Sequence, residues 1–220
     1  MLILIAGITG MVGQPCAQAA IARGHKVRGI GRDPAKLPTE LRQNLESFVV
    51  SSGIYDIPSL DRAVANVDAV ICAYGFLPEV LVEGQLMLLR AAERAGVKIF
   101  HAASWNYDWT LGYFGQHESY DPYLVFDAQL SHQAPLHVHW YHRGDQIWDR
   151  ETKTLSYFGD GKKEWICTTA DDIAAYTVEA VSAPDADMIR LAIGKKAKET
   201  AIHAKRIPKS RPMHEFWWVK

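Results

Sequence analysis

The stretch LILIAGITGMVGQP, residues 2–15, constrains the fold more than any other part of the chain. Leu2 to Ala6 is an unbroken apolar run, the pattern of a strand covered on both faces inside a parallel sheet. Gly7, Gly10 and Gly13 follow at a spacing of three. Val12 to Arg23 is alanine-rich, carries Pro15 early, where a first helical turn tolerates a missing N–H, and stops at Gly24. The first glycine then permits a sharp turn off the strand, the second lets backbone approach a pyrophosphate, and the third lets the helix pack closely on the sheet. The helix N-terminus adds N–H groups and partial positive charge, so the unit reads as a phosphate cradle.

The same alternation continues. Strands are expected at Lys26 to Gly31, Ser47 to Ser51, Ala69 to Ala73 and Val97 to Ala102. Helices are expected from Asp33-Pro34 to Leu41, from Ser59 to Ala65, and from Glu79 to Ala95 before Gly96. Five strands joined by helical crossovers predict an α/β, doubly wound parallel sheet. Residues 104–122, SWNYDWTLGYFGQHESYDP, lack helical or strand periodicity and read as a loop over the site. Beyond it the pattern gives a helix from Pro122 to His132, a strand from Leu136 to His142, a hairpin TLSYF-GDG-KKEWICTT, a helix Ala170 to Val181 capped by Thr169, and a strand Met188 to Ile193. Residues 1–150 are expected to form the nucleotide-binding domain, and 151–220 a small substrate lobe and tail packed on it.

Composition narrows the partner. At 220 residues, with 48% hydrophobic and 22% charged residues and a net charge of -1, the chain has neither a disordered composition nor a broad basic surface for nucleic acid. A small-molecule partner is expected. Residues 2–6 are too few to span a bilayer and lack a preceding basic region or a cleavage signature, so no membrane segment is expected and the cytoplasm is the default. Cys16, Cys72 and Cys167 are far apart and odd in number, and read as reduced, mostly buried thiols.

The kind of dinucleotide is set at the end of the second strand, where an acid accepts from a ribose diol and a base accommodates a 2′-phosphate. Here the sequence reads GIGRDPAK: no acid closes the strand, and Arg32 and Lys36 supply two cations. NADP is therefore expected over NAD. The competing reading of Arg32 is a solvated surface arginine.

Taken together, IAGITGMVGQPCAQAAIARGHKVRGIGRDPAKL, DIPSLDRAVANVDAVICAYG and TTADDIAAYTVEAV resemble the NmrA-like and isoflavone-reductase-like group of atypical short-chain dehydrogenases, especially its fungal members. The resemblance runs over roughly residues 1–193. It implies an NADP-binding Rossmann domain with a small substrate lobe, and a function that is either reduction of a small aromatic metabolite or redox sensing without turnover. It makes Gly7, Thr9, Gly10, Met11, Val12, Gly13, Arg32 and Lys36 cofactor contacts, sets Ala73 and Tyr74 beside the ribose, and puts Ser104 near the nicotinamide.

Three departures bear on the chemistry. No Tyr-x-x-x-Lys pair is present, no lysine lies between Lys98 and Lys153, and Gln129 stands about where the resemblance would put one. That removes the cation that lowers a neighbouring hydroxyl pKa or donates a proton. Gly53 occupies the position where relatives carry an acid near the adenine, and residues 194–220 do not resemble the usual C-terminal lobe.

Other groupings carry less. His137 and His139 share one strand face, but no carboxylate pair accompanies them and no metal centre is expected. Trp105, Tyr107, Trp109, Tyr113, Phe114 and Tyr120 either line a pocket for a flat substrate or pack on one another as a surface loop. Phe216, Trp217 and Trp218 are a lid, a contact with a second copy or protein partner, or a packed tail. The resulting expectation is an NADPH-dependent reductase of an aromatic or conjugated metabolite, with Ser104 or Tyr107 polarising the acceptor and Gln129 in place of the lysine. The alternatives are an NADP sensor that binds a protein partner, and a non-redox isomerase or cyclase.

Overall fold

The computed structural model describes residues 1–75, 77–105, 113–116, 118–130, 137–139, 148–149, 154–155 and 169–183. Strand β1 (Leu2–Ala6) is the centre of the molecule, with Ile3 to Ala6 fully buried. It pairs in parallel with β2 (Lys26–Gly31) on one side and β4 (Ala69–Cys72) on the other. Strand β3 (Ser47–Val50) extends the sheet beyond β2, and β5 (Ile99–His101) and β6 (His137–His139) extend it beyond β4. The order is β3-β2-β1-β4-β5-β6, with every pair parallel. The doubly wound sheet expected from the sequence is present, with a sixth strand where Leu136 to His142 was expected to form one. Its direction reverses between β1 and β4, which opens a crevice beyond the carboxyl ends of those strands.

Helix α1 (Gly13–Ala22) follows the glycine turn, buries Cys16, Ala17 and Ala20 against the sheet, and ends at Gly24, whose φ is +77°. The small residues on that face allow close approach. The helix expected from Asp33 to Leu41 divides instead into a 3-10 turn, Pro34–Lys36, and a short helix, α2 (Thr39–Gln43). Pro38 explains the break: it lacks an N–H and disfavours helical backbone at Leu37, whose ψ is 143°. Helix α3 (Ile57–Val64) begins at Asp56, whose carboxylate accepts from the Ser59 N–H at 3.2 Å.

The long helix expected over Glu79 to Ala95 is also divided. A π-helical turn, Val80–Gly84, leads into α4 (Gln85–Arg94). Helix α5 (Asp121–Leu130) precedes β6, and α6 (Ala170–Ser182) begins with Thr169, whose hydroxyl accepts from the Asp172 N–H at 3.0 Å. Helix α6 packs on α1, with Arg23 and Glu179 paired at 3.5 Å. Of the expected hairpin, Thr154–Leu155 (β8) pairs antiparallel with Trp148–Asp149 (β7); the remainder, like the strand expected at Met188 to Ile193 and most of the 151–220 lobe, lies outside the described residues. No helix among the described residues is long and apolar enough to cross a membrane.

Candidate functional site

The crevice begins at the glycine turn. Gly7 has φ +75°, and a Cβ there would stand 2.3 Å from the Ala73 carbonyl oxygen and 3.2 Å from the Tyr74 N. A Cβ on Gly13 would stand 2.3 Å from the Gly7 carbonyl oxygen. Both positions are closed by the protein itself. Gly10 differs: its Cβ would meet the Gly7 oxygen at 3.1 Å and nothing else nearer than 3.9 Å, so the protein alone crowds it only moderately. Its outer side offers the close backbone approach that a phosphate group requires.

Two bonds set the turn: the Gly10 N–H donates to Gly7 O at 2.9 Å, and the Gln14 side-chain amide donates to Thr9 O at 3.0 Å. Helix α1 has no side-chain cap, and Met11, Val12 and Gly13 donate to no described backbone carbonyl. These N–H groups remain available to an anion at the positive end of the helix. Thr9 is half-buried, Met11 is exposed, and the Val12 side chain packs against the core, leaving Val12 only its backbone to offer.

Arg32 and Lys36 are exposed just past β2, on the strand adjacent to the glycine turn, where Ala6 is in register with Ile30. Neither side chain has an ion pair or hydrogen-bond partner among the described residues. Asp33 instead accepts from the Ala35 N–H at 2.9 Å, capping the 3-10 turn that carries Lys36. The carboxylate is committed locally, while the two cationic side chains are exposed to solvent.

Across the reversal point, Ala73 donates its N–H to Ala6 O at 2.7 Å and Tyr74 lies half-buried beside it. Burial drives the Tyr74 phenol well above its usual range. The Cys16 and Cys72 thiols, buried as expected, are pushed up to about 12 by desolvation and stay un-ionised. Cys167 lies outside the described residues.

The segment after β5 is held from two sides. Gln85, fully buried, donates its side-chain N–H to Leu81 O at 2.7 Å and accepts from the Ala103 N–H at 2.8 Å. Trp105 donates its indole N–H to the buried Thr177 hydroxyl at 3.2 Å and stacks on His101 with ring centroids 5.0 Å apart. Ser104 lies between these two anchors and is fully buried. Trp105 is therefore part of the core rather than of an aromatic surface loop, whereas Tyr113 and Phe114 are exposed. Gln129 is exposed near the end of α5; Tyr107, Trp109 and the aromatic tail lie outside the described residues.

Sequence reading missed Gln85. The available signal was its spacing: Leu81, Gln85, Leu88 and Ala92 recur on one helical face, which puts an amide where three apolar neighbours are buried.

A doubly wound parallel sheet with a glycine-rich first turn and a helix N-terminus facing the crevice defines the Rossmann class. Within that class the chain belongs to the NmrA-like family, whose model matches residues 1–110, half of the chain. It is 34% identical over 202 residues to a bifunctional pinoresinol-lariciresinol reductase of Linum usitatissimum, covering 81% of this chain and 64% of that protein. It is 35% identical over 114 residues to a phenylcoumaran benzylic ether reductase of Pinus taeda, covering 48% and 36%. The chain thus spans about one third to two thirds of the length of these relatives. The binary complex of leucoanthocyanidin reductase and NADPH from Vitis vinifera shares the fold, with a TM-score of 0.66, 18% identity, and coverage of 84% of this chain and 66% of that one.

Proposed function

We propose that the chain binds NADPH and reduces a small aromatic or conjugated metabolite. The observation that carries this is the pairing of an open phosphate cradle at Gly10–Gly13 with two uncommitted cations, Arg32 and Lys36, one strand away. The cradle takes the pyrophosphate and the cations take a 2′-phosphate. The relatives named above are a pinoresinol-lariciresinol reductase and a phenylcoumaran benzylic ether reductase, which supports the substrate class.

In this reading the adenosine end lies over β2 and β3, and the nicotinamide end over β4 and β5. A nicotinamide bound there supplies the hydride. Ala73 and Tyr74 form the wall beside the ribose. Polarisation of the acceptor falls to Ser104, in the segment after β5, or to Tyr107, while Gln129 replaces a lysine with a neutral amide. The proton then comes from water or a histidine, a weaker arrangement than a cationic donor.

A second reading, an NADP sensor without turnover that binds a protein partner, is favoured by one observation: α5, DPYLVFDAQL, carries no basic residue. One set of measurements separates the two. Wild type should bind NADPH tighter than NADH, and Arg32→Ala should lose about 10- to 100-fold in NADPH affinity with NADH unchanged, the value of a charge-assisted contact. Equal losses for both cofactors would remove the 2′-phosphate assignment. Oxidation of NADPH in the presence of quinones, enones or aromatic carbonyls supports the reductase; tight binding with no oxidation supports the sensor.

A further inference from the structure

We infer that Gln85 is a positioning residue for the nicotinamide end of the crevice, acting through the backbone of Ala103 and Ser104. The inference rests on the cofactor reading above. Its local cause is the π-helical turn Val80–Gly84. In a regular helix the Leu81 carbonyl would accept from the Gln85 N–H, but where the π turn passes into α4 the backbone N–H groups go to the carbonyls of Val80 and Val82 instead. The Leu81 carbonyl is released, and the Gln85 side-chain amide takes it at 2.7 Å. This fixes the carboxamide with its oxygen toward β5, where it accepts from the Ala103 N–H at 2.8 Å.

Turn and amide are seated by close packing. A Cβ on Gly84 would come within 3.0 Å of Ile54 and 3.5 Å of Tyr74, so the turn lies tight against both. The amide is fully buried, both of its ends are used, and neither bond can be replaced by water.

Position in the fold gives the clasp its meaning. Ala103 lies two residues past β5 (Ile99–His101), at the carboxyl edge of the sheet and on the far side of the reversal point from Arg32 and Lys36. A dinucleotide lying across that point, with its phosphates at α1 and its adenosine end at β2, carries its other half over β4 and β5. The clasp sets the direction of the Ala102–Ala103 peptide and hence where Ser104 begins. The Trp105–Thr177 bond at 3.2 Å holds the other end of the same segment.

The test compares two ligands that differ in the nicotinamide. Dissociation constants for NADPH and for 2′-phospho-ADP-ribose are measured on wild type, Gln85→Leu and the length-preserving Gln85→Met. Wild type should bind NADPH more tightly. In the variants NADPH affinity should fall by about 10-fold, as for loss of a preorganised contact, with 2′-phospho-ADP-ribose within about 2-fold of wild type. A purely structural role would lower thermal stability and leave the ratio of the two constants unchanged.

Gln85→Glu supplies a reversible control. A protonated carboxyl can donate to Leu81 O and accept from the Ala103 N–H, whereas an ionised one can only accept. The wild-type ratio should therefore return as pH falls from about 9 to about 6, because burial raises a carboxyl pKa. A ratio unaltered in Leu and Met, or a Glu ratio flat with pH, overturns the inference while leaving the cofactor reading intact. So does a wild type that binds both ligands equally. Failure of wild type to bind either ligand overturns both.

Discussion

On the β2 side of the reversal point the chain leaves groups over: the N–H groups of Met11, Val12 and Gly13, the open face of Gly10, and the side chains of Arg32 and Lys36. On the β5 side it uses them up. Gln85 spends both ends of its amide on Leu81 and Ala103, Trp105 spends its N–H on Thr177, and Ser104 is covered. The difference teaches where ligand affinity and geometry come from. Unspent donors and cations near solvent can bind a phosphate at little cost, while a segment fixed by buried neutral bonds can set an orientation but adds few new contacts.

The largest expected effect separates closure by the protein from conformational freedom alone. Gly7 and Gly24 have nearly the same φ, +75° and +77°, but a Cβ on Gly7 strikes the Ala73 carbonyl and one on Gly24 meets nothing within 4 Å. Gly24→Ala should cost about 1 kcal/mol, the left-handed backbone penalty. Gly7→Ala adds a backbone collision at the centre of the sheet and should cost about 3 kcal/mol or more, roughly 10 °C in melting temperature. Thermal unfolding checks both. Similar losses in the two variants would mean that the Gly7–Ala73 contact relaxes and the cradle is softer than it looks.

Gly10→Ala probes the open side. With only the Gly7 oxygen at 3.1 Å to yield, stability should change by less than about 1 kcal/mol. The methyl group would nevertheless stand where a phosphate approaches, and NADPH affinity should fall by roughly 10- to 100-fold, about 1.4–2.7 kcal/mol. Titration of the folded variant decides it. A variant as tight as wild type would move the phosphates off Gly10 and erase the contrast between the two sides.

This contrast also marks how far the sequence could be read. The apolar run of β1, the glycine spacing and the alanine face of α1 are local patterns, and each gives the observed element. The cations after β2 were legible because their position depends only on where a strand ends. Leu37-Pro38 broke an expected helix through a rule that acts on a single residue, and it could have been read. The separate roles of Gly7 and Gly10 were legible from their places in the motif, but the contact that closes Gly7 was not, since it lies with Ala73, which is remote in sequence. Nor was the clasp: a π-helical turn has no composition of its own, and Gln85 meets Ala103 only after β4, α4 and β5 have packed. Ser104 follows β5 and is fully buried, but the bond that anchors its neighbour, Trp105 to Thr177 of α6, comes from a long way along the chain.

The smallest effect concerns the rim of the open side. Asp56 holds the β3–α3 loop by accepting from the Ser52 N–H at 2.9 Å, the Ser59 hydroxyl at 2.7 Å, the Ser59 N–H at 3.2 Å and the Ser52 hydroxyl at 3.1 Å. These bonds favour the ionised form and hold its carboxyl at about 2, below the ordinary 3.8. The sign follows: above pH 3.8 the carboxylate is charged in both folded and unfolded chains, and its bonds contribute in full. As pH falls from 3.8 through about 2 the folded chain must take up the proton too, and the contribution disappears. The difference in urea midpoint between wild type and Asp56→Ala should be constant from neutral pH to about pH 5 and shrink steadily below pH 4. The difference between wild type and Gln85→Leu, which removes bonds between neutral groups, should stay level over the same range. A difference for Asp56→Ala that stayed level as well would mean that the rim is held by the serines and the packing of α3, and that the two sides of the crevice differ in exposure but not in the kind of bond that orders them.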